Sequence, residues 1–241
     1  MNRSISYIPI QHQSLKILLS KLPSLEYLDI RADPDARLSK GVLTCKGAAQ
    51  WCESLGKNCR LTHLNLRRHD LGQRAAEYLA RALKKNHALQ HLDLSFNVSF
   101  GSGIHKFVEG LRENNTLRDL LLNGCNVAGE GAACLARVLE RDNRSIQRLH
   151  LVQDTPICND MIEIFICALK KNHVLFDLVF DTDSAVNHPD LQKILQRNHV
   201  YRCLLALMSG FHPRLGRNSL IQNLASAPKG VMKLVTSFVR G

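Results

Sequence analysis

Residues 86–94 read NHALQHLDL and residues 114–122 read NNTLRDLLL: an Asn, two intervening residues, then apolar side chains in the pattern L-x-x-L-x-L. Working outward, the phrase returns as NCRLTHLNL from Asn58, NRSIQRLHL from Asn143 and NHVLFDLVF from Asn172. Its first apolar residues are Leu61, Leu89, Leu117, Ile146 and Leu175, spaced 28, 28, 29 and 29 apart. Registered copies at so constant a period identify a repeat array, because a chance match to three apolar positions would not also place an Asn upstream.

Within each copy, L-x-L puts two side chains on one face of a short strand and the intervening residues on the other. A helical pattern follows, as in AAEYLARALKK (residues 75–85), where Ala76, Leu79, Ala80 and Leu83 share one side. One strand and one helix cannot bury both apolar faces alone, whereas stacked units can. The expected fold is an α/β solenoid of horseshoe form, with a parallel sheet on the concave face and helices on the convex face. The recurring Asn is expected just past each helix in the left-handed conformation. Lys84, Lys85, Arg112, Arg141, Lys170, Lys171 and Arg197 precede these Asn residues and oppose the negative end of each helix dipole.

Weaker copies extend the array toward the N-terminus: LEYLDI from Leu25 and ISYIPI from Ile5. The long step from Leu25 to Leu61 implies an inserted loop over residues 34–42 near the concave edge. LQKILQRN (residues 191–198) repeats the helix and its Asn, and VYRCLLALM then breaks the strand phrase. The solenoid is therefore expected over residues 1–198, with a basic helical cap over 199–241 packed on the last repeat.

Composition agrees with thin leucine-lined layers, since aromatic residues make up only 5% of the chain. The formal net charge of +11 is concentrated at one end: residues 191–241 hold eight basic side chains and no Asp or Glu. The eight cysteines are expected as free thiols in a reducing, cytoplasmic-type environment. No apolar signal segment opens the sequence, and several cysteines occupy apolar repeat positions. The longest uncharged apolar run, Cys203 to Met208, falls far short of the roughly 20 residues that cross a bilayer.

The phrase L-x-x-L-x-L-x-x-(N/C) with this period resembles the ribonuclease-inhibitor class of leucine-rich repeats. That class includes NOD-like receptor sensors, tropomodulin and Ran GTPase-activating protein. The resemblance covers residues 25–198 and implies a fold and a binding role rather than one chemistry. At the position where the class carries Asn or Cys, this chain has Asp33, His69, Asn97, Cys125, Asp154 and Asp183. The outer repeats are thus expected to be less regular than the central two. A small array with a basic tail also resembles the leucine-rich-repeat effectors that intracellular bacterial pathogens inject into host cells, which would place a secreted protein on a host target.

Alternate strand residues point away from the core, so the concave surface can be written as columns. The first is Tyr27, His63, His91, Asp119, Arg148 and Asp177; the second is Asp29, Asn65, Asp93, Leu121, His150 and Val179; the third is Arg31, Arg67, Ser95, Asn123, Val152 and Asp181. Their polar members other than Ser95 and Asp181 form the expected partner-binding site, since a mixed-charge pavement suits a folded protein better than a small apolar ligand. His63, His91, Asp93 and Asp119 are zinc-type ligands, but a flat sheet cannot close a tetrahedral shell, so no metal or other cofactor is expected. No nucleophile motif or phosphate-cradling loop is present, and Gly72, Gly101, Gly103, Gly129 and Gly131 fall in strand-to-helix turns. The expectation is a monomeric, non-enzymatic scaffold. Two alternatives stand beside it: contact of the basic tail with an anionic membrane, and a GTPase-regulating role of the Ran GTPase-activating type. Nucleic acid is disfavoured, because the tail lacks interleaved stacking aromatics.

Overall fold

A computed structural model describes residues 3–6, 11–22, 24–32, 43–127, 129–153, 159–180 and 188–208. Its strands are β1 (Ser4–Ser6), β2 (Tyr27–Asp29), β3 (His63–Asn65), β4 (His91–Asp93), β5 (Asp119–Leu121), β6 (Arg148–His150) and β7 (Asp177–Val179). They form one parallel sheet in sequence order. The helices are α1 (His12–Lys21), α2 (Cys45–Lys57), α3 (Gln73–Lys85), α4 (Ile104–Glu113), α5 (Glu130–Arg141), α6 (Asn159–Lys171) and α7 (Pro189–Met208), with a 3₁₀ turn (Val98–Gly103) before α4. The chain is an α/β leucine-rich-repeat solenoid with an open sheet. The insertion at 34–42, Asp33, Asp154, Asp181, Asp183 and the tail beyond 208 lie outside the described residues.

Leucines of the repeated phrase make the interior. Leu61, Leu64 and Leu66 align with Leu89, Leu92 and Leu94 and with Leu117, Leu120 and Leu122, all at most 2% exposed. Each such side chain contributes about 1.5–3 kcal/mol on burial. The helices close the core from the other side through small residues, and α3 buries Ala75, Ala76, Ala80 and Ala82 beside Leu79 and Leu83. At Gly110 of α4 a Cβ would stand 2.6 Å from the Ala80 Cα, so a side chain there would force α3 and α4 apart.

Register differs from expectation at the first strand. Ile5 pairs with Leu28, and Ser4 with Tyr27, so the first copy lies three residues earlier than an alignment of ISYIPI on LEYLDI. An odd shift exchanges the two faces of a strand, and only the observed register sets Ile5 across from buried Leu28. At the other end α7 runs unbroken through Asn198, so the expected boundary between solenoid and cap falls inside one helix.

The recurring Asn is not left-handed. Asn58, Asn86 and Asn114 have φ of −75°, −87° and −84° with extended ψ. Their side chains are buried and join consecutive repeats. The Asn86 Nδ2 donates to the Leu55 and Asn58 carbonyls at 2.7 and 2.9 Å, while its Oδ1 accepts from the Ala88 and Leu89 N–H at 3.0 and 2.7 Å. Asn114 donates to Leu83 and Asn86, Asn143 to Leu111 and Asn114, and Asn172 to Leu139 and Asn143. Asn198, in mid-helix, donates to the Asn172 and Leu175 carbonyls. The left-handed assignment gives way because a buried amide bridging two repeats satisfies more backbone than a local cap does. Some of the preceding basic residues also pair with a carboxylate of an adjacent repeat, as in Lys84–Glu113, Arg112–Asp142 and Lys171–Glu140.

A second ladder crosses the strand exits. The Asn97 Nδ2 donates to the Leu66 carbonyl at 2.9 Å, and the Cys125 Sγ to the Leu94 carbonyl at 3.1 Å. His69 places Nε2 2.7 Å from the Ile30 carbonyl, and the Gln153 Nε2 donates to the Leu122 carbonyl at 2.9 Å. Gln153 stands one residue before Asp154, and its longer side chain reaches the same bond. Its Oε1 accepts from the Val127 N–H as the Asn97 Oδ1 accepts from the Leu71 N–H. Burial pushes the Cys125 thiol up to about 12, which keeps it a protonated donor.

Two predictions follow from these ladders. Replacing Asn86 by Ala orphans two carbonyls and two N–H groups, and urea unfolding should show a loss of about 3 kcal/mol. A loss below about 1 kcal/mol would mean that the amide is dispensable. His69 is held down to about 4 from 6.5, chiefly by burial, with the Ile30 carbonyl opposing and His12 adding. Between those values the unfolded chain binds the proton and the folded chain does not. The stability is therefore complete above pH 6.5 and is lost as pH falls toward 4. His69→Asn keeps a donor but cannot titrate, so wild type should lose up to about 3 kcal/mol more than the variant between pH 7 and 4. Parallel stability curves would show that His69 is not buried in its neutral form.

Candidate functional site

The sheet carries the first two columns in the register read from the sequence, with His63 opposite His91, His91 opposite Asp119, Asp119 opposite Arg148, and Arg148 opposite Asp177; of the third column, Ser95 is fully buried. Strands about 4.8 Å apart bring successive side chains of a column into contact. Tyr27 lies 5.6 Å from the His63 ring, and the His63 and His91 rings stack at 3.9 Å and 13°. The His91 Nδ1 meets an Asp119 carboxylate oxygen. Arg148 grips the same carboxylate with two nitrogens, its Nε at 2.8 Å from Oδ1. Asp177 continues the line toward the His150 Nε2 at 3.4 Å.

Asp119 is 4% exposed and Asp29 1%, so both act from beneath the surface. Asp119 orients His91 and Arg148, and Asp29 holds the Arg31 guanidinium through Nε at 3.0 and 3.1 Å. Asp29, Asn65 and Asp93 each also accept the N–H two residues on, which shapes the strand exits in three consecutive repeats. The Asn123 Oδ1 accepts from the Val152 N–H. Exposed at least in part on this face are thus Tyr27, the two stacked imidazoles, Arg148, His150 and Asp177.

Electrostatics follow the contacts. The bond to Asp119 raises the Arg148 guanidinium above its ordinary value. His63 is lowered, first by burial and then by the neighbouring His91, with Asp119 opposing. Among the described residues no group of three or more His, Cys, Asp or Glu is placed to hold a metal ion. Stacked rings direct their nitrogens side by side rather than toward one point, and the Asp119 carboxylate is already shared by Arg148 and His91.

Beyond these columns lies a rim that the sequence reading did not select. Arg68, Phe96 and Gly124 occupy equivalent turn positions with φ of 63°, 62° and 61°. Phe96 is 38% exposed. Its ring lies 4.4 Å from the Arg67 guanidinium and 4.8 Å from that of Arg68. The available signal was the 28-residue spacing itself, which places Phe96 where the next repeat has glycine.

Comparison with known proteins bears on the same segments. The Leucine Rich repeat family matches residues 57–80, 85–103 and 113–136. Mouse (Mus musculus) ribonuclease inhibitor is 33% identical over 116 residues, covering 47% of this chain and 25% of that protein. NACHT, LRR and PYD domains-containing protein 14 of Mus musculus is 27% identical over 219 residues, covering 79% of this chain and 22% of that protein. The chain therefore spans about a quarter or less of the length of these relatives. Among solved structures, leiomodin-1 actin-binding site 2 superposes with a TM-score of 0.49 at 16% identity, covering 84% of this chain and 95% of that one. The repeat period, the sheet order and the matched segments together give the chain leucine-rich repeats similar to those of ribonuclease inhibitor.

Proposed function

We propose that this chain is a non-enzymatic scaffold that recognises a folded protein partner across the open face of its sheet. The observation that carries the reading is the column from Tyr27 to Arg148, whose side chains are already stacked or paired across five strands, with Asp177 of the sixth beside His150. Side chains fixed before binding lose less entropy when a partner arrives. Their alternation of aromatic, basic and acidic groups offers register and charge complementarity over a length of about 25 Å. The same engagement argues against catalysis, because a carboxylate gripped by Arg148 and His91 is a poor general base.

The relative named ribonuclease inhibitor acts, as its name states, on another protein, which supports the reading. The narrower roles suggested by the sequence, an injected effector or a regulator of a GTPase, would be exercised through this face and differ only in the partner. The proposal includes reducing surroundings, supported by the free thiols of Cys45, Cys52, Cys59, Cys125, Cys134 and Cys167.

Affinity capture with the full chain tests the proposal against the variant Tyr27→Ala/His63→Ser/Asp177→Lys, which alters exposed groups and spares Asp119 and Arg148. Equal melting temperatures, with captured proteins reduced about tenfold, are expected. An unchanged set of partners would remove the open face from the function.

A further inference from the structure

We propose that Arg67, Arg68 and Phe96, with Val98 two residues along, form a recognition cluster for an acidic segment of a protein partner. Carboxylates of that segment would pair with the two guanidinium groups, and an apolar side chain would pack on the Phe96 ring. The inference rests on the scaffold reading and adds the chemistry of the bound segment.

Three observations converge. Phe96 and Arg68 hold left-handed backbone at φ of 62° and 63°, a conformation that disfavours L side chains and that the next repeat fills with Gly124. The turn itself needs only the backbone: the Arg68, Phe96 and Gly124 N–H groups each donate to a carbonyl of the next repeat, at 2.9, 2.7 and 2.7 Å. A strained backbone that carries an arginine and an aromatic ring at the surface therefore serves the side chains. Second, the ring is held in place. The two guanidinium groups lie against it, and a Cβ on Gly124 would stand 2.9 Å from the Phe96 Cδ1, so the absent side chain leaves room for the ring. Third, the charge is uncompensated. Among the described residues neither Arg67 nor Arg68 has a carboxylate partner, in contrast with Arg148 on the neighbouring floor. Val98, 64% exposed, extends the apolar part of the rim. An arginine pair around a fixed aromatic is the composition that dominates binding energy at protein interfaces, and its charge selects an acidic segment.

The test titrates the isotope-labelled full chain with a short synthetic peptide of alternating Glu and Leu, followed by amide chemical shifts. A Lys/Leu peptide serves as control. Shifts concentrated at residues 67, 68, 96 and 98 are expected, with binding weakened about tenfold or more in Arg67→Glu/Arg68→Glu and in Phe96→Gly. Phe96→Gly leaves the net charge of +11 untouched and suits the turn, so it should melt no lower than wild type. Shifts confined to the basic C-terminal residues, full binding by Phe96→Gly, or a lowered melting temperature in that variant would overturn the proposal. A failure here, with partner loss intact in the open-face variant, sinks the rim alone. Peptide binding at the rim with no partner loss in that variant sinks the open-face reading instead.

Discussion

A parallel sheet of three-residue strands leaves most of each repeat's backbone without ladder partners, and a buried backbone group without a partner costs about 1–3 kcal/mol. In this chain the debt at the helix ends is met by one buried amide per repeat. Asn86, fully buried, serves four backbone groups drawn from two repeats. The amide suits that place because it offers two donors and an acceptor on a short stem without charge. Strand pairing, leucine layers and helix packing all presuppose the repeat spacing that this amide enforces. The period is accordingly almost constant wherever the Asn recurs.

At the strand exits the same need is met by unlike groups. His69, Asn97, Cys125 and Gln153 each reach a carbonyl one repeat back, so geometry is preserved while chemistry drifts. The drift has consequences for behaviour. An imidazole in this position brings pH dependence, whereas a thiol pushed up to about 12 is kept from nucleophilic chemistry. At His69 the bond survives the loss of the consensus residue, and at Gln153 a side chain one residue away makes it.

Function is confined to what these ladders leave free. On the open face, Asp119 has become an internal anchor that orders His91 and Arg148, so the exposed surface there is set by a residue that is itself buried. At the rim the turn tolerates a side chain where glycine would suffice, and the chain has used that tolerance at Arg68 and Phe96. Rigidity in both places comes from contacts between neighbouring repeats, which lets a thin array present a defined surface.

The sequence by itself determined the repeat period, the parallel strand-helix order, the leucine layers and the cross-strand pairing of the first two columns. These follow from periodicity alone, since a two-residue alternation and a registered phrase dictate which side chains share a face. Only the tertiary structure decided what each polar residue does within that frame. The recurring Asn read as a local helix cap because its partners lie about one period away in the chain, and Gln153 was passed over because side-chain reach is invisible in a spacing. Ile5 joined the sheet three residues out of the expected register, since the short first step carries no second landmark to set parity. The division between Asp119 beneath the surface and Arg148 upon it likewise depends on contacts across neighbouring strands. So does the Phe96 ring between two arginines, formed only when successive turns are stacked about 4.8 Å apart.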